Sequence, residues 1–267
     1  MTTSTLWLRA NVIPVTVFVA LFVIWELVCR TGVVQPWLLP APSNIAIAVW
    51  DRRVLMSFHL LVTFTEVLGG FSLAILLGVP IAILITYSDL ARKITYPVLL
   101  VFQSVPKVAL APLILLWLGY GMSSKIFVAA VTAFFPLVIN TTAGLVSTPA
   151  EMLELACALK ARQFDVFLKV RMPWALPYIV SGMKVAVTLS VIGAVVAEFV
   201  GSDTGLGFVI LNASSTMNTP VVFGAMVLLS LLGMLFFYSI VGLEKLLCPW
   251  YMKAEQGSAL QIAGSMS

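Results

Sequence analysis

Residues 59–87 read HLLVTFTEVLGGFSLAILLGVPIAILITY, a run in which Glu66 is the only acidic residue and which contains no lysine or arginine. A helix needs about 20 apolar residues to cross the hydrocarbon core of a bilayer. A helix also satisfies its backbone hydrogen bonds within one segment, as hydrocarbon requires. The run therefore predicts a membrane-spanning helix.

Five further apolar runs have the same character. They cover residues 11–29, 94–118, 124–146, 174–199 and 221–247. Over the whole chain 61% of residues are hydrophobic and 10% are charged, whereas a soluble domain has about 45–50% and about 25%. The sequence predicts an all-α, polytopic membrane protein with about six transmembrane helices. We expect a single domain, residues 1–267, with its core spans in residues 59–247.

The positive charges between the predicted spans are unevenly distributed. One side receives Arg9, Arg92, Lys93, Lys160, Arg162, Lys169, Arg171, Lys245 and Lys253, and the other receives Arg30, Arg52, Arg53 and Lys125. Because lysine and arginine accumulate on the cytoplasmic side, both termini are predicted to be cytoplasmic. The net charge of +4 is spread over single residues and pairs, so it does not indicate nucleic-acid binding.

Motifs for a metal site or for ATP hydrolysis do not occur in the sequence. The three cysteines lie far apart without a CxxC pair, and the single histidine, His59, has no neighbouring set of ligands. No metal site or cofactor is therefore predicted. A GxxxxGK[ST] phosphate-binding loop is also missing from the sequence, so we expect any ATP hydrolysis to reside on another chain.

The predicted cytoplasmic loop, residues 147–173, has a pattern that a simple connector does not need. Thr148-Pro149-Ala150-Glu151 fits a capping box, in which the Thr148 side chain accepts from the Glu151 N–H and the Glu151 carboxylate reaches back. Apolar residues then recur at helical spacing among charged ones, which predicts a pair of short amphipathic helices. By itself this pattern also fits helices that lie on the membrane surface.

The loop also contains Glu154-Leu155-Ala156 near its start and Met172-Pro173 at its end. This arrangement resembles the EAA signature of permease subunits of bacterial ATP-binding-cassette (ABC) importers, which ends in Leu-Pro. The resemblance covers nearly the whole chain, including Leu39-Pro40-Ala41-Pro42-Ser43, Pro106-Lys107-Val108-Ala109-Leu110-Ala111-Pro112, Gly205-Leu206-Gly207 and Leu243-Glu244-Lys245. The sequence is most similar to the nitrate, sulfonate and taurine branch, whose look-alikes import a pyrimidine precursor of thiamine or riboflavin.

The resemblance implies a type I ABC importer permease fold and a transport subunit that is not itself an enzyme. It implies that the loop is a coupling helix that docks on the ATPase. The residues expected to make this contact are Glu151, Glu154, Ala156, Lys160, Met172 and Pro173.

The partners that the resemblance implies are an ABC ATPase dimer, a second permease copy, an external substrate-binding protein and lipid of the bacterial inner membrane. The expected cargo is a small polar or anionic solute, similar to nitrate, sulfonate or taurine. The alternative cargo is a thiamine pyrimidine precursor or a riboflavin-like compound.

Two positions depart from the family pattern. Lys160 stands where the family usually has glycine, and a left-handed turn there would cost a lysine about 1 kcal/mol. Glu66 stands where relatives commonly have a basic residue. An ionic contact on the outer side is therefore expected to have its charges reversed.

Ionisable groups within predicted spans need a partner, water or a function, because their insertion into hydrocarbon is costly. Pro106 and Pro112 free backbone carbonyls, as in the broken helices that line transport pathways. The residues expected along a translocation pathway are Glu66, Gln103, Lys107, Asn140 and Glu198.

Structural roles for the same polar residues remain open from the sequence. Lys107 could pair with Glu66 or Glu198, and Lys184 could snorkel toward the interface. Asn140 could bond between helices. Two other function classes also remain: a membrane enzyme acting on lipids, and a channel or secondary transporter that works alone. The first lacks clustered acidic or histidine ligands, and the second leaves the capped loop unexplained.

Overall fold

The structure is a computed structural model that describes residues 3–88, 93–94, 97–99, 101–102 and 105–250, with side chains from Thr16 onward. Its helices are α1 (Thr3–Arg30), α2 (Pro42–Asp51), α3 (Arg53–Tyr87), α4 (Lys107–Leu118), α5 (Met122–Val146), α6 (Ala150–Ala158), α7 (Gln163–Val166), α8 (Met172–Gly201), α9 (Leu206–Ser215) and α10 (Thr219–Leu247). A π-helical turn, Phe167–Arg171, joins α7 to α8. The described part of the chain is all-α, as predicted.

Four helices among the described residues are long and apolar enough to cross a membrane. They are Arg53–Tyr87, Met122–Val146, the continuous run Gln163–Gly201 and Thr219–Leu247. The predicted first span lies inside α1. The second half of the predicted third span forms α4, a helix of 12 residues that follows Pro106. Part of the first half, residues 94–106, lies outside the described residues. The number of six spans therefore stays a prediction.

The chain divides into two compact units. Unit 1 comprises Met1–Val62 and Thr204–Ser230, and unit 2 comprises Thr63–Asp203 and Leu231–Ser267. The hydrophobic core of unit 1 combines Met56 with residues of α9 and α10, among them Leu206, Val209, Ile210, Val221 and Ala225. Burying these side chains stabilises the unit.

Two polar side chains organise unit 1. The Glu26 carboxylate accepts from the Ser43 backbone N–H at 3.1 Å and from its hydroxyl at 2.7 Å, which satisfies a donor at the start of α2. The His59 Nδ1 accepts from the Gly205 N–H at 3.0 Å, and the ring is buried. His59 therefore has a structural contact within unit 1.

Unit 2 is built around close approaches of α5 to its neighbours. A methyl group added at Gly193 of α8 would lie 2.9 Å from the Ala129 Cα, and one at Gly144 of α5 would lie 2.5 Å from the Tyr178 Cβ. The end of α8 thus meets the start of α5, and the start of α8 meets the end of α5. The two helices are therefore antiparallel. Their connecting segment, residues 147–171, lies at one end of this pair.

Candidate functional site

The connecting segment begins with α6, close to where the sequence predicts a helix. The predicted capping box is wrong: Pro149 is the N-cap residue, and no side chain caps α6. The Thr148 hydroxyl instead donates to the Leu145 carbonyl in the last turn of α5, at 3.3 Å. Thr148 is buried and fixes the junction between the two helices.

The end of α6 is a Schellman motif centred on Lys160. The Ala161 N–H donates to the Ala156 carbonyl at 3.0 Å, and the Lys160 N–H donates to the Cys157 carbonyl at 2.9 Å. Lys160 has φ +52°, so it adopts the left-handed conformation that glycine usually supplies. The turn of the family pattern is thus present, and Lys160 carries its conformational cost.

The second half of the segment is not the separate short helix that the sequence predicts. The single turn α7 passes through the π-helical turn directly into α8, so that Gln163–Gly201 is continuous. Pro173 lies in the first turn of α8. A proline there lacks the N–H for a bond to the preceding turn, and a widened π-helical turn accommodates this without a break.

The outer surface of α6 combines apolar and acidic side chains. Leu155 and Leu159 are 63% and 73% exposed, while Ala156 is buried against the rest of unit 2. Glu151 and Glu154 are exposed on the same helix. A groove of about 480 Å3 runs alongside and is lined by Leu155, Leu159, Pro173, Trp174, Tyr178 and Trp250. An exposed apolar surface flanked by charges is typical of a protein interaction site.

Aromatic contacts join this segment to the end of α3. The Arg171 guanidinium lies 5.3 Å from the centroid of the Tyr87 ring. The Tyr87 ring contacts the Phe167 ring edge-on, with centroids 5.6 Å apart. The π-helical turn is therefore tied to two long helices, to α8 through the backbone and to α3 through Tyr87.

Three ionisable groups meet at the opposite end of the α5–α8 pair. Lys125 Nζ lies 2.5 Å from Glu66 Oε1 and 2.9 Å from Ser202 Oγ. The Thr63 hydroxyl donates to Glu198 Oε1 at 2.6 Å. Glu66 and Glu198 are fully buried. Glu66 therefore has a basic partner in Lys125, while the reversal of charges relative to the family stays a prediction.

The structure gives contacts to the other charges in the predicted spans. Glu66 pairs with Lys125, and Lys107 Nζ lies 5.3 Å from the centroid of the Phe135 ring. Lys184 Nζ lies 2.6 Å from Glu244 Oε2, so Lys184 has an ionic partner that the sequence did not indicate. The sequence analysis did not identify Lys125 and Glu244 as ionic partners. The available signal was that both charged residues fall within predicted spans.

The remaining pathway candidates are Asn140 and Gln103. The Asn140 amide donates to the Pro136 carbonyl at 2.8 Å within α5, because that carbonyl lies one turn back. The predicted interhelical bond is therefore wrong. Gln103 lies outside the described residues.

Together, the long apolar helices and the exposed amphipathic segment define a polytopic helical membrane protein with a surface suited to a protein partner. The chain belongs to the family of binding-protein-dependent transport system inner membrane components, whose sequence model matches residues 74–252. It is a multi-pass inner-membrane permease subunit of an ABC importer. Such a subunit is not itself an enzyme, since a separate subunit is the ATPase. The family implies an ATPase and a substrate-binding protein as partners.

Several named relatives are similar over most of the chain. The formylaminopyrimidine transport permease protein ThiX of Halalkalibacterium halodurans is 37% identical over 90% of this chain and 96% of its own. The riboflavin transport system permease protein RibX of Chloroflexus aurantiacus is 34% identical over 89% of each chain. The putative aliphatic sulfonates transport permease protein SsuC of Bacillus subtilis is 31% identical over 91% and 88%.

The fold has a counterpart among solved structures. A chain of the MetNI methionine ABC transporter, in an inward-facing conformation, superposes with a TM-score of 0.65 at 19% identity. The match covers 74% of this chain and 98% of the other. It confirms the type I importer permease fold.

Proposed function

We propose that the segment Glu151–Arg171 is the coupling element of this permease and docks on the ATPase. The observation that carries the proposal is the exposed apolar surface of α6, with Glu151 and Glu154 beside it. Apolar side chains exposed on a short helix are costly in water and gain free energy when a partner groove covers them. In this proposal Glu154 is a docking contact and has no catalytic role.

The proposed mechanism is alternating access. Closure of the ATPase dimer draws two coupling elements together, one from each of two identical permease copies. Each element is tied to α3 and continuous with α8, so both helices move with it and switch the pathway between inward-open and outward-open. The segment and both chain termini lie on the cytoplasmic side in this arrangement.

The proposed cargo is a small polar or anionic solute. The relatives' names divide into two chemical groups, sulfonates on one side and the ring compounds formylaminopyrimidine and riboflavin on the other. We therefore propose that the cargo belongs to one of these two chemical groups. Lys107 is the proposed pathway residue because it lies beside an open pocket, and Gln103 and Asn140 are further candidates. We assign the buried Glu66 and Glu198 a structural role in this conformation.

The docking proposal is tested by co-purification and by transport. The subunit is expected to co-purify from its native membrane with an ABC ATPase and a second copy of itself. Glu154→Ala should lower ATP-driven uptake at least fivefold while the subunit stays folded. Asp51→Ala, which removes an exposed carboxylate at the end of α2, is the matched control and should transport normally. Full transport by Glu154→Ala, or purification without any ATPase, would contradict the proposal.

A further inference from the structure

The junction of α2 and α3 in unit 1 presents an acid and a base side by side. A surface depression of about 580 Å3 lies there, and its lining residues are Asp51, Arg52, Val54, Leu55 and Phe58. Asp51 and Arg52 are both exposed. The depression therefore combines one carboxylate, one guanidinium group and an apolar wall.

The apolar wall of the depression belongs to a face of α3 that suits hydrocarbon. α3 begins at Arg53 and is long and apolar enough to cross a membrane. Val54, Phe58 and Leu61 are 78%, 53% and 62% exposed. Because these residues are three and four positions apart, they share one face of the helix. An exposed apolar face at the start of a membrane span is most stable against lipid chains, so the depression lies where hydrocarbon gives way to headgroups.

Trp50 marks the same boundary. Its side chain is 69% exposed, and tryptophan accumulates where hydrocarbon meets lipid headgroups. The Arg53 guanidinium lies 5.1 Å from the centroid of the Trp50 ring and donates to the Trp50 carbonyl at 3.1 Å. Arg53 is thus held against Trp50, and Arg52 is the arginine that lines the depression. At this level of a bilayer, the anionic groups that Arg52 meets are lipid phosphates.

The two neighbouring charges determine which lipid headgroup fits. A guanidinium group binds a phosphate through charge-assisted, often paired hydrogen bonds. The Asp51 carboxylate beside it repels a headgroup that is only anionic, but it accepts hydrogen bonds from an ammonium group. Phosphatidylethanolamine carries both a phosphate and a primary ammonium group. Phosphatidylglycerol lacks the ammonium group, and the quaternary ammonium of phosphatidylcholine has no N–H to donate.

We propose that this depression binds a phosphatidylethanolamine molecule, with the lipid phosphate on Arg52 and the lipid ammonium group on Asp51. One acyl chain lies along the exposed face of α3 that Val54, Phe58 and Leu61 form. This lipid site shares no residue with the segment Glu151–Arg171 or with the proposed pathway residues. Lipid binding here is therefore independent of the proposed transport function.

The test is native mass spectrometry of the purified permease complex, delipidated and then supplied with one lipid at a time. The probes are phosphatidylethanolamine, phosphatidylglycerol and phosphatidylcholine with identical acyl chains. The complex is expected to retain phosphatidylethanolamine about threefold more strongly than either other lipid, the difference expected for one exposed ion pair. Asp51→Asn should remove this preference. Arg52→Gln should weaken the retention of all three lipids, because each carries a phosphate.

Asp203→Asn and Arg30→Gln are the matched controls. Asp203 is an exposed carboxylate outside the depression, and Arg30 is an exposed arginine already paired with Glu26 at 2.7 Å. Both variants should retain the lipids like the original chain. Asp51 and Arg52 are exposed, so their replacement is not expected to unfold the subunit, and size-exclusion elution checks this. Equal retention of the three lipids, stronger retention of phosphatidylglycerol, or unchanged retention by Asp51→Asn and Arg52→Gln would each overturn the proposal.

Discussion

Lys125 Nζ lies 2.5 Å from Glu66 Oε1, and both side chains are almost completely buried. Thr63, one turn before Glu66 on α3, donates to the carboxyl group of Glu198. Two carboxyl groups and one ammonium group thus share a site at the junction of α3, α5 and α8. Removing one partner of a buried ion pair leaves an uncompensated charge, which is far more costly than losing an exposed pair.

Lys125→Met is therefore expected to lower the free energy of unfolding by about 3–5 kcal/mol. The double variant Lys125→Met with Glu66→Gln should recover much of this loss, because it removes the uncompensated charge as well. Thermal unfolding of the purified subunit in detergent measures both effects. Equal destabilisation by the single and double variants would contradict the charge argument.

Lys160→Gly is expected to stabilise the subunit by about 1 kcal/mol. Lys160 has φ +52°, a conformation that glycine adopts without the steric cost that a Cβ atom brings. The change should raise the Tm of the subunit. Lys160→Ala retains the Cβ atom but removes the charge, so it serves as the control and should leave the Tm nearly unchanged. A similar rise with alanine would assign the effect to charge.

The cysteines are expected to differ in reactivity toward a maleimide at neutral pH. Cys157 on α6 is exposed, whereas Cys248 is fully buried. Burial raises the pKa of the Cys248 thiol, and the neighbouring Glu244 carboxylate raises it further. Because the thiolate is the reactive form, Cys248 should label slowly and faster only as the pH rises. Mass spectrometry of the labelled peptides, in a Cys29→Ser background, measures the rates.

Addition of the ATPase should protect Cys157 from the same reagent. Cys157 lies on α6, next to the exposed carboxylates and apolar side chains of the proposed docking surface. The labelling rate at Cys157 should fall severalfold in the complex, with Cys29 as the internal reference in the unmodified chain. An unchanged Cys157 rate in a complex that demonstrably contains the ATPase would place the docking surface elsewhere.

Tyr87→Leu is expected to uncouple ATP hydrolysis from transport. The Arg171–Tyr87 contact is worth about 0.5–1 kcal/mol as a cation–π pair, so folding should be little affected. The loss should instead appear as fewer solute molecules moved per ATP hydrolysed in proteoliposomes. Tyr87→Phe keeps the ring face and should behave like the original chain. Equal coupling ratios for all three proteins would show that the contact does not transmit motion.

The long helices were predictable because their signal is local. Residues 59–87 lack charges other than Glu66, and α3 forms over that run. A methyl group at Gly70 would lie 2.5 Å from the Ala129 Cβ, so the glycine permits close packing of α3 on α5. Composition and spacing carry this information without knowledge of the tertiary arrangement.

The partners of the buried charges were not predictable, because these contacts join residues that are far apart in the sequence. Lys184 and Glu244 are 60 positions apart, and Thr63 and Glu198 are 135 apart. Which side chains meet depends on how the helices pack, and the apolar runs themselves do not specify this. The capping-box prediction failed on a smaller scale: Thr148 bonds back to the Leu145 carbonyl of α5, a contact that the Thr-Pro-Ala-Glu pattern does not reveal.

The continuity of Gln163–Gly201 gives the subunit a mechanical property. A helix of 39 residues extends about 58 Å at 1.5 Å per residue. One end of this rod carries the Arg171–Tyr87 contact and the other carries Glu198 with its Thr63 partner. In the proposed mechanism this rod would act as a lever arm, and a tilt of a few degrees at the segment Glu151–Arg171 would become a displacement of several ångströms at the buried charges.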